Sequence, residues 1–241
     1  ATARCATKES KTQFRKEFFK TLLRDVIAAL EEKDIHAPLD LAVSGLALDS
    51  RRVSAGTLFF ALPGEKEDGG DFIAEAMARG AACAVCEQPP EGERPYILVP
   101  DAHKALALCA AVWYGTPAGK MTLVGVTGTN GKTTTTYLIK QILERTRSAR
   151  VGLIGTNQNL IGDKVVPTER TTPDALTVQR LLAQMADAGC AYAVMEVSSH
   201  ALMQSRVAGI HFRVGVFTNL TQDHLDYHGT MEAYCDAKAR L

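Results

Sequence analysis

Residues 122–146, TLVGVTGTNGKTTTTYLIKQILERT, constrain the fold more than any other stretch of the chain. TLVGVT (122–127) is apolar and β-branched, as a strand buried on both faces should be. KTTTTYLIKQILERT (132–146) reads as a helix with Leu138, Ile139, Ile142 and Leu143 on one side. Strand, glycine loop and helix in succession let backbone N–H groups converge on phosphate oxygens at a helix N-terminus. The usual phosphate loop is G-x-x-x-x-G-K-[ST]. Counting back from Gly131-Lys132-Thr133 puts Val126 where its first glycine should stand. The stretch is either a chance glycine-threonine turn or a shorter phosphate loop. In the second case Gly128 and Gly131 relieve crowding, Lys132 reaches the β- and γ-phosphates, and the Thr133 hydroxyl holds Mg²⁺.

Whole-chain properties fit a globular protein. The 241 residues suffice for one large domain or two ordinary ones, and 46% hydrophobic content supports a sizeable core. Lys+Arg and Asp+Glu number 27 each, so net charge gives no support for nucleic-acid or membrane binding. No apolar run approaches the roughly 18 residues of a membrane span, and the first residues lack a signal-peptide core, so a cytoplasmic location is expected. The six cysteines are scattered. Cys83 and Cys86 form a C-x-x-C inside the apolar run AACAVCE, where buried core thiols of a reduced compartment are expected in preference to a zinc or redox pair.

Residues 1–20 are set aside as a tail, although apolar positions at Phe14, Phe18, Leu22, Val26, Ile27 and Leu30 recur with helical spacing over 14–30. Strands are expected at 41–48, 57–62, 81–87 and 96–99, with helices at 71–80 and 101–115. GTPAGKM (115–121) is a turn-rich boundary. Beyond it, buried strands at 150–155, 192–197 and 213–219 join the first at 122–127, with a capped helix at 173–189. The fold class expected is α/β: a small N-terminal α/β domain (21–117), then a mostly parallel phosphate-loop-type sheet flanked by helices (118–241). The last helix, MEAYCDAKARL, stops in mid-pattern at Leu241, so the second sheet is expected to be incomplete and the chain a piece of a longer one.

Two further polar clusters follow strands, at the edge where open α/β sheets bind ligands. MEVSSH places Glu196, Ser198, Ser199 and His200 after one, and Glu196 could take a Mg²⁺ coordination position. TNLTQDHLDYHG places Asn219, Asp223, His224, Asp226 and His228 after the next. With the glycine loop, these make a shared site.

GVTGTNGKTTT, MEVSSHAL and FTNLTQDHLDYHGTMEAYCDAKARL together resemble the ATP-binding domain of the Mur ligases, whose loop is written G-T-N-G-K-T without the distant glycine. Residues 46–85 resemble the UDP-binding domain shared by the Mur ligases that add the third amino acid and the terminal dipeptide. EVSSH and DHLDYHG point to the third-residue, MurE-type members. The resemblance runs from about residue 40 to the end. It implies that Leu48, Ser50, Glu65, Lys66 and Glu67 contact the uridine nucleotide and sugar, and that Gly128, Thr129, Asn130, Gly131, Lys132, Thr133 and Thr134 bind ATP. It places Arg170, Thr171, Thr172, Ser198, Ser199, Gln204 and Arg206 against the peptidyl substrate, with Arg170 where members often have Asn. Mg²⁺ would be ligated by Thr133, Glu196, His224 and Lys238, the last as a carbamate. Lys132, Glu196, His224 and Lys238 form the implied catalytic set. From the residues alone, Lys238 on a terminal helix reads as solvated surface.

The resemblance implies ATP-dependent joining of diaminopimelate or lysine to UDP-N-acetylmuramoyl-L-Ala-D-Glu through an acyl phosphate, by a monomer acting without nucleic acid or membrane. It also implies a C-terminal amino-acid-binding domain. That domain is expected to be absent here, leaving diaminopimelate against lysine unread and the chain inactive alone as a ligase. The alternatives are a dipeptide-adding Mur ligase, a folylpolyglutamate synthetase-like ligase, or a phosphate-loop regulator that does not ligate.

Overall fold

In the computed structural model, residues 21–64 and 67–241 are described, and the chain divides into two compact units, with the division between Ala102 and His103. The described part of the first unit holds β1 (Thr21–Leu22), α1 (Leu23–Val26), β2 (Asp34–His36), β3 (Ala42–Val43), β4 (Gly45–Ala47), β5 (Thr57–Phe60), α2 (Ile73–Ala78), β6 (Cys83–Cys86) and β7 (Tyr96–Leu98). Its sheet has the order β2-β7-β6-β5-β4, parallel from β4 to β7, with β2 antiparallel at the edge. Phe59, Ala84 and Cys86 pack under Ile73 and Ala76 of α2. Burial pushes the Cys83 thiol up to about 12 and that of Cys86 to about 11, so neither is poised as a thiolate.

The helix expected over 14–30 does not form in its described part. Thr21–Leu22 is a strand paired with Ala42–Val43. The amides of Leu23 and Arg24, which a continuous helix would direct four residues back, donate instead to Leu41 O and Leu39 O at 2.8 and 3.1 Å. Leu23, Val26, Ile27 and Leu30 are still buried, so the apolar spacing is satisfied by one helical turn and its flanks. The strand expected at 41–48 is broken at Ser44, whose amide bonds Gly56 O.

The second unit contains α3 (Ala102–Trp113), β8 (Thr122–Thr127), α4 (Lys132–Arg147), β9 (Val151–Ile154), β10 (Asn159–Ile161), β11 (Lys164–Val166), α5 (Ala175–Asp187), β12 (Tyr192–Glu196), α6 (Ser199–Met203), β13 (Val214–Phe217), α7 (Leu225–His228) and α8 (Met231–Ala239). The sheet order is β11-β10-β9-β12-β8-β13; β9, β12, β8 and β13 are parallel, and β10 and β11 are antiparallel. Side chains alternate across it. Val124, Val126, Val151 and Val194 meet Ile139 and Leu143 of α4, while Leu123, Ile154, Ala193 and Met195 meet Val178, Leu181, Leu182 and Met185 of α5. Parallel central strands covered on both faces by helices are the expected α/β arrangement.

Two expectations need correction. The inward face of α4 carries Thr136, Ile139, Lys140 and Leu143, so Leu138 and Ile142 fall outside it and are 54% and 57% exposed. The strand at 213–219 is not buried: among the described residues β13 pairs with β8 alone, and Val214 and Phe217 are exposed.

Lys140 is buried on α4 with its ammonium on the Glu144 carboxylate one turn later. Removing one partner of such a pair strands the other charge, whereas an apolar replacement of similar length strands nothing. Glu144→Ala should therefore lower unfolding free energy in urea by about 1–3 kcal/mol, and Lys140→Met should be neutral or stabilising. A larger loss in Lys140→Met would contradict this.

Candidate active site

The loop between β8 and α4 is held open by the segment that leaves β13. Thr129 N donates to Asn219 O at 3.0 Å, Asn130 N to Asn219 Oδ1 at 3.0 Å, and Thr218 Oγ1 to Asn130 O at 2.7 Å. Thr129 Oγ1 donates to Thr221 O and accepts from Thr221 N, both at 3.0 Å. At Gly128 the backbone adopts φ 135°, and a Cβ there would lie 2.0 Å from Thr218 Oγ1 and 3.1 Å from Asn219 backbone. Only glycine meets both conditions. Gly131, at φ 84°, turns the chain into α4, whose first residues are Lys132, Thr133 and Thr134. A helix N-terminus with free amides thus faces the loop, the geometry that attracts phosphate.

Glu196 ends β12 and is 1% exposed. Its carboxylate accepts from Thr133 Oγ1, Thr156 N and Thr156 Oγ1, each at 3.0 Å. The approach of β9 is close enough that a Cβ on Gly155 would stand 2.4 Å from Glu196 Oε1. The peptidyl-substrate candidates gather beside it. Thr171 Oγ1 lies 3.0 Å from Thr156 Oγ1; Thr172 Oγ1 donates to Glu196 O at 2.9 Å and accepts from Ser198 N at 3.0 Å. Arg206 donates from Nη1 to Thr172 O at 2.8 Å and from Nε to Gln204 Oε1 at 3.0 Å. Burial, then the charge of Arg170, lowers the Arg206 pKa from its ordinary value. Ser198 caps α6 by accepting from Ala201 N, and Ser199 is buried with its hydroxyl 2.9 Å from His228 Nε2.

Lys238 is not on the surface, as its sequence position alone suggests. It is 2% exposed, its Nζ donates to Gly128 O at 2.9 Å, and it sits 4.3 Å from the centre of the Tyr234 ring. Burial pulls its pKa down to about 8. Lys132 Nζ donates to Gly128 O as well, and to Thr129 O, at 2.9 Å. Its pKa is lowered by burial and then by the charge of Lys238. Two ammonium groups therefore share one carbonyl at the floor of the loop. His224, with φ 52°, joins His200, His228, Tyr227 and Tyr234 in a ring cluster, its centroid 4.9 Å from His200. Burial, then the neighbouring imidazoles, lowers His200 and His228. Among the described residues no group of three or more His, Cys, Asp or Glu is gathered as a metal site.

In the first unit Ser50 is buried and donates to Glu75 Oε2 at 2.8 Å, Leu48 is partly buried and Glu67 is exposed. Glu65 and Lys66 lie outside the described residues. A cavity of about 510 Å³, lined by Pro63, Asp68, Asp71, Glu87 and Arg94 among others, has none of Leu48, Ser50 or Glu67 in its wall. The sequence reading missed Thr156, whose backbone and hydroxyl both serve Glu196. Its signal was Gly155-Thr156 at the carboxyl end of β9, repeating Gly128-Thr129 at the end of β8.

Comparison with known proteins agrees with this arrangement. The family description "Mur ligase family, catalytic domain" matches residues 42–114, and "Mur ligase middle domain" matches 126–241. A relative from Geobacillus kaustophilus named UDP-N-acetylmuramoyl-L-alanyl-D-glutamate--2,6-diaminopimelate ligase is 53% identical over 199 residues, 83% of this chain and 40% of its own length. One of the same name from Parabacteroides distasonis is 47% identical over 222 residues, 91% of this chain and 46% of its own. The chain thus spans less than half the length of these curated relatives. A solved structure of a ligase of that name superposes with TM-score 0.76 at 31% identity, covering 92% of this chain and 45% of that one. MurF ligase from Thermotoga maritima, solved in complex with ADP, gives 0.53 at 26% identity, covering 81% and 42%. With the loop, the buried carboxylate at the end of β12 and the braced segment after β13 all inside the matched stretches, the chain belongs to the Mur ligase family.

Proposed function

We propose that this chain forms the UDP-sugar-binding and ATP-binding parts of a cytoplasmic, monomeric ligase. The ligase would join meso-diaminopimelate to UDP-N-acetylmuramoyl-L-Ala-D-Glu at the expense of ATP. The observation that carries this reading is the hydrogen bond from Thr133, in the first turn after the loop, to the buried Glu196. It couples a phosphate-binding helix terminus to a carboxylate among substrate-facing threonines and serines. Diaminopimelate is preferred to lysine because the relatives' names carry it. The division of labour between 21–117 and 118–241 is supported by the two separate family matches. Leu48, Ser50, Glu65, Lys66 and Glu67 are proposed for the uridine side. Among the described residues no helix is long and apolar enough to cross a membrane.

In this reading the loop amides and Lys132 hold the ATP phosphates, while Arg206, Thr171 and Thr172 orient the substrate carboxylate. The carboxylate attacks the γ-phosphorus as the bond to ADP breaks and ADP leaves, giving an acyl phosphate; the incoming amine then attacks its carbonyl carbon, expelling phosphate and giving up a proton as the amide forms. Lys132 and the loop dipoles stabilise the charge that gathers on the transferred group. Hydroxyl and carboxylate oxygens at Thr133 and Glu196 suit a hard Mg²⁺ ion that keeps most of its other positions for water and phosphate. Bound there, Mg²⁺ would neutralise phosphate charge. His224, in the segment that leaves β13, is proposed as a further ligand. Lys238, as a carbamate formed from its neutral amine and CO₂ with loss of a proton, would turn the repulsion with Lys132 into attraction.

With the full-length protein, phosphate release from ATP should require UDP-N-acetylmuramoyl-L-Ala-D-Glu, and Lys132→Ala should slow it by about 10²–10³-fold. Release indifferent to the UDP-peptide would favour a phosphate-loop regulator instead.

Lys238 gives a pH test. Its folded pKa of about 8 lies below the ordinary 10.5, so between these values the unfolded chain binds more protons. Its contribution to stability should rise with pH across that window and be least favourable below it. Relative to Lys238→Met, the wild type should gain stability from pH 8 to 10 in urea titrations, and a pH-independent gap would refute the depressed pKa. ¹³C-bicarbonate should label the wild type and not the variant if the carbamate forms.

A further inference from the structure

We propose that Thr156 is a positioning residue whose single hydroxyl proton couples a cation at Glu196 to the substrate carboxylate at Thr171. The inference rests on the proposed ligase function and adds to it a link between the metal side and the peptidyl side of the site.

Thr156 follows β9, and its Oγ1 stands 3.0 Å from Glu196 Oε2 and 3.0 Å from Thr171 Oγ1. A threonine hydroxyl has one proton and cannot donate to both. A carboxylate is the stronger acceptor, so with no cation at Glu196 the proton lies on Oε2. Oε2 also receives the Thr133 hydroxyl at 3.0 Å, which fills both of its lone-pair directions. The bond between the two threonines then needs the Thr171 proton, and Thr171 shows an incoming ligand only lone pairs.

A cation held by Glu196 and Thr133 needs a lone pair on Oε2 and repels the hydroxyl protons aimed there. The other partner of the Thr156 hydroxyl is Thr171 Oγ1. Once Thr156 donates to it, Thr171 accepts, and its own proton is free to be donated outward. A substrate carboxylate requires such a donor. Cation and carboxylate therefore each favour the binding of the other, since linkage is reciprocal. The Thr156 amide holds Glu196 Oε1 at 3.0 Å throughout, so the buried carboxylate keeps its place while the proton changes partner. Thr156 is exposed and Thr171 partly buried, so the pair is open to a ligand.

The test measures binding of UDP-N-acetylmuramoyl-L-Ala-D-Glu to the full-length protein by calorimetry. Titrations are run in EDTA and with saturating Mg²⁺ and the non-hydrolysable β,γ-imido analogue of ATP. In the wild type the Mg²⁺-nucleotide should tighten UDP-peptide binding by about fivefold or more, the worth of one gained hydrogen bond to a charged group. Thr156→Val keeps the shape and the backbone amide but leaves the Thr171 proton free at all times. It should bind the UDP-peptide in EDTA about fivefold more tightly than the wild type and lose that much of the Mg²⁺-nucleotide effect. Thr156→Ser should restore the wild-type pattern. Thr171→Val should bind weakly in both conditions, and it carries the test if Thr156→Val does not fold. A purely structural role for Thr156 predicts weaker binding in both conditions. That result, wild-type coupling in either valine variant, or no coupling in the wild type would overturn the proposal while leaving the ligase function standing. A wild type that binds no UDP-peptide at all would overturn both.

Discussion

The carboxylate of Glu196 is the constraint around which the candidate site is assembled. A carboxylate 1% exposed must find donors inside the protein, and it finds three, from Thr133 and from the backbone and side chain of Thr156. Those bonds fix the first turn of α4 relative to the ends of β9 and β12. The main-chain oxygen of the same residue takes the Thr172 hydroxyl, which in turn receives Ser198 N. One residue therefore positions the phosphate-facing helix on one side and the proposed substrate-facing segments on the other. Gly155 is the matching concession just after β9, because any side chain there would push into the carboxylate.

Positive charge gathers at the loop's floor for a related reason. Lys132 and Lys238 both donate to Gly128 O, and burial weakens the hold of each on its proton. The arrangement is electrostatically unfavourable by itself, and a polyanion above the loop relieves it by attracting both. In the proposed reading, binding energy for a nucleotide is in this sense prepared by the fold before the nucleotide arrives.

Much of this was legible in the chain. Buried parallel strands announce themselves by continuous β-branched runs, and the phosphate loop by glycines between such a run and a helix. What escaped depends on contacts distant in sequence. Lys238 looks solvated on α8, yet Tyr234, four residues earlier, reaches within 3.3 Å of Thr129 Oγ1, and its helix docks beneath the loop. The 14–30 periodicity is genuine, but carbonyls from residues 39 and 41 capture the amides that would have propagated a helix. The hairpin of β10 and β11 went unread because three-residue strands carry too little pattern. The number of strand neighbours β13 has among the described residues is a matter of strand order, which no local pattern encodes.

Val126 shows how far the local and the global agree. In the longer phosphate loop a glycine at this position already belongs to the turn. Here residue 126 is still strand, paired with Glu196 on one side and Val216 on the other, and its side chain is fully buried in the core beneath α4. The turn begins two residues later at Gly128, where the backbone needs a positive φ and Thr218 leaves no room for a Cβ. A glycine at 126 would remove core packing without supplying any freedom the loop uses. The shorter spacing therefore follows from β8 running two residues further before it turns. That extension also places Val126 O to accept the amide of Val197, the residue that follows Glu196. The loop subtype and the placement of the buried carboxylate are thus one feature of the sheet.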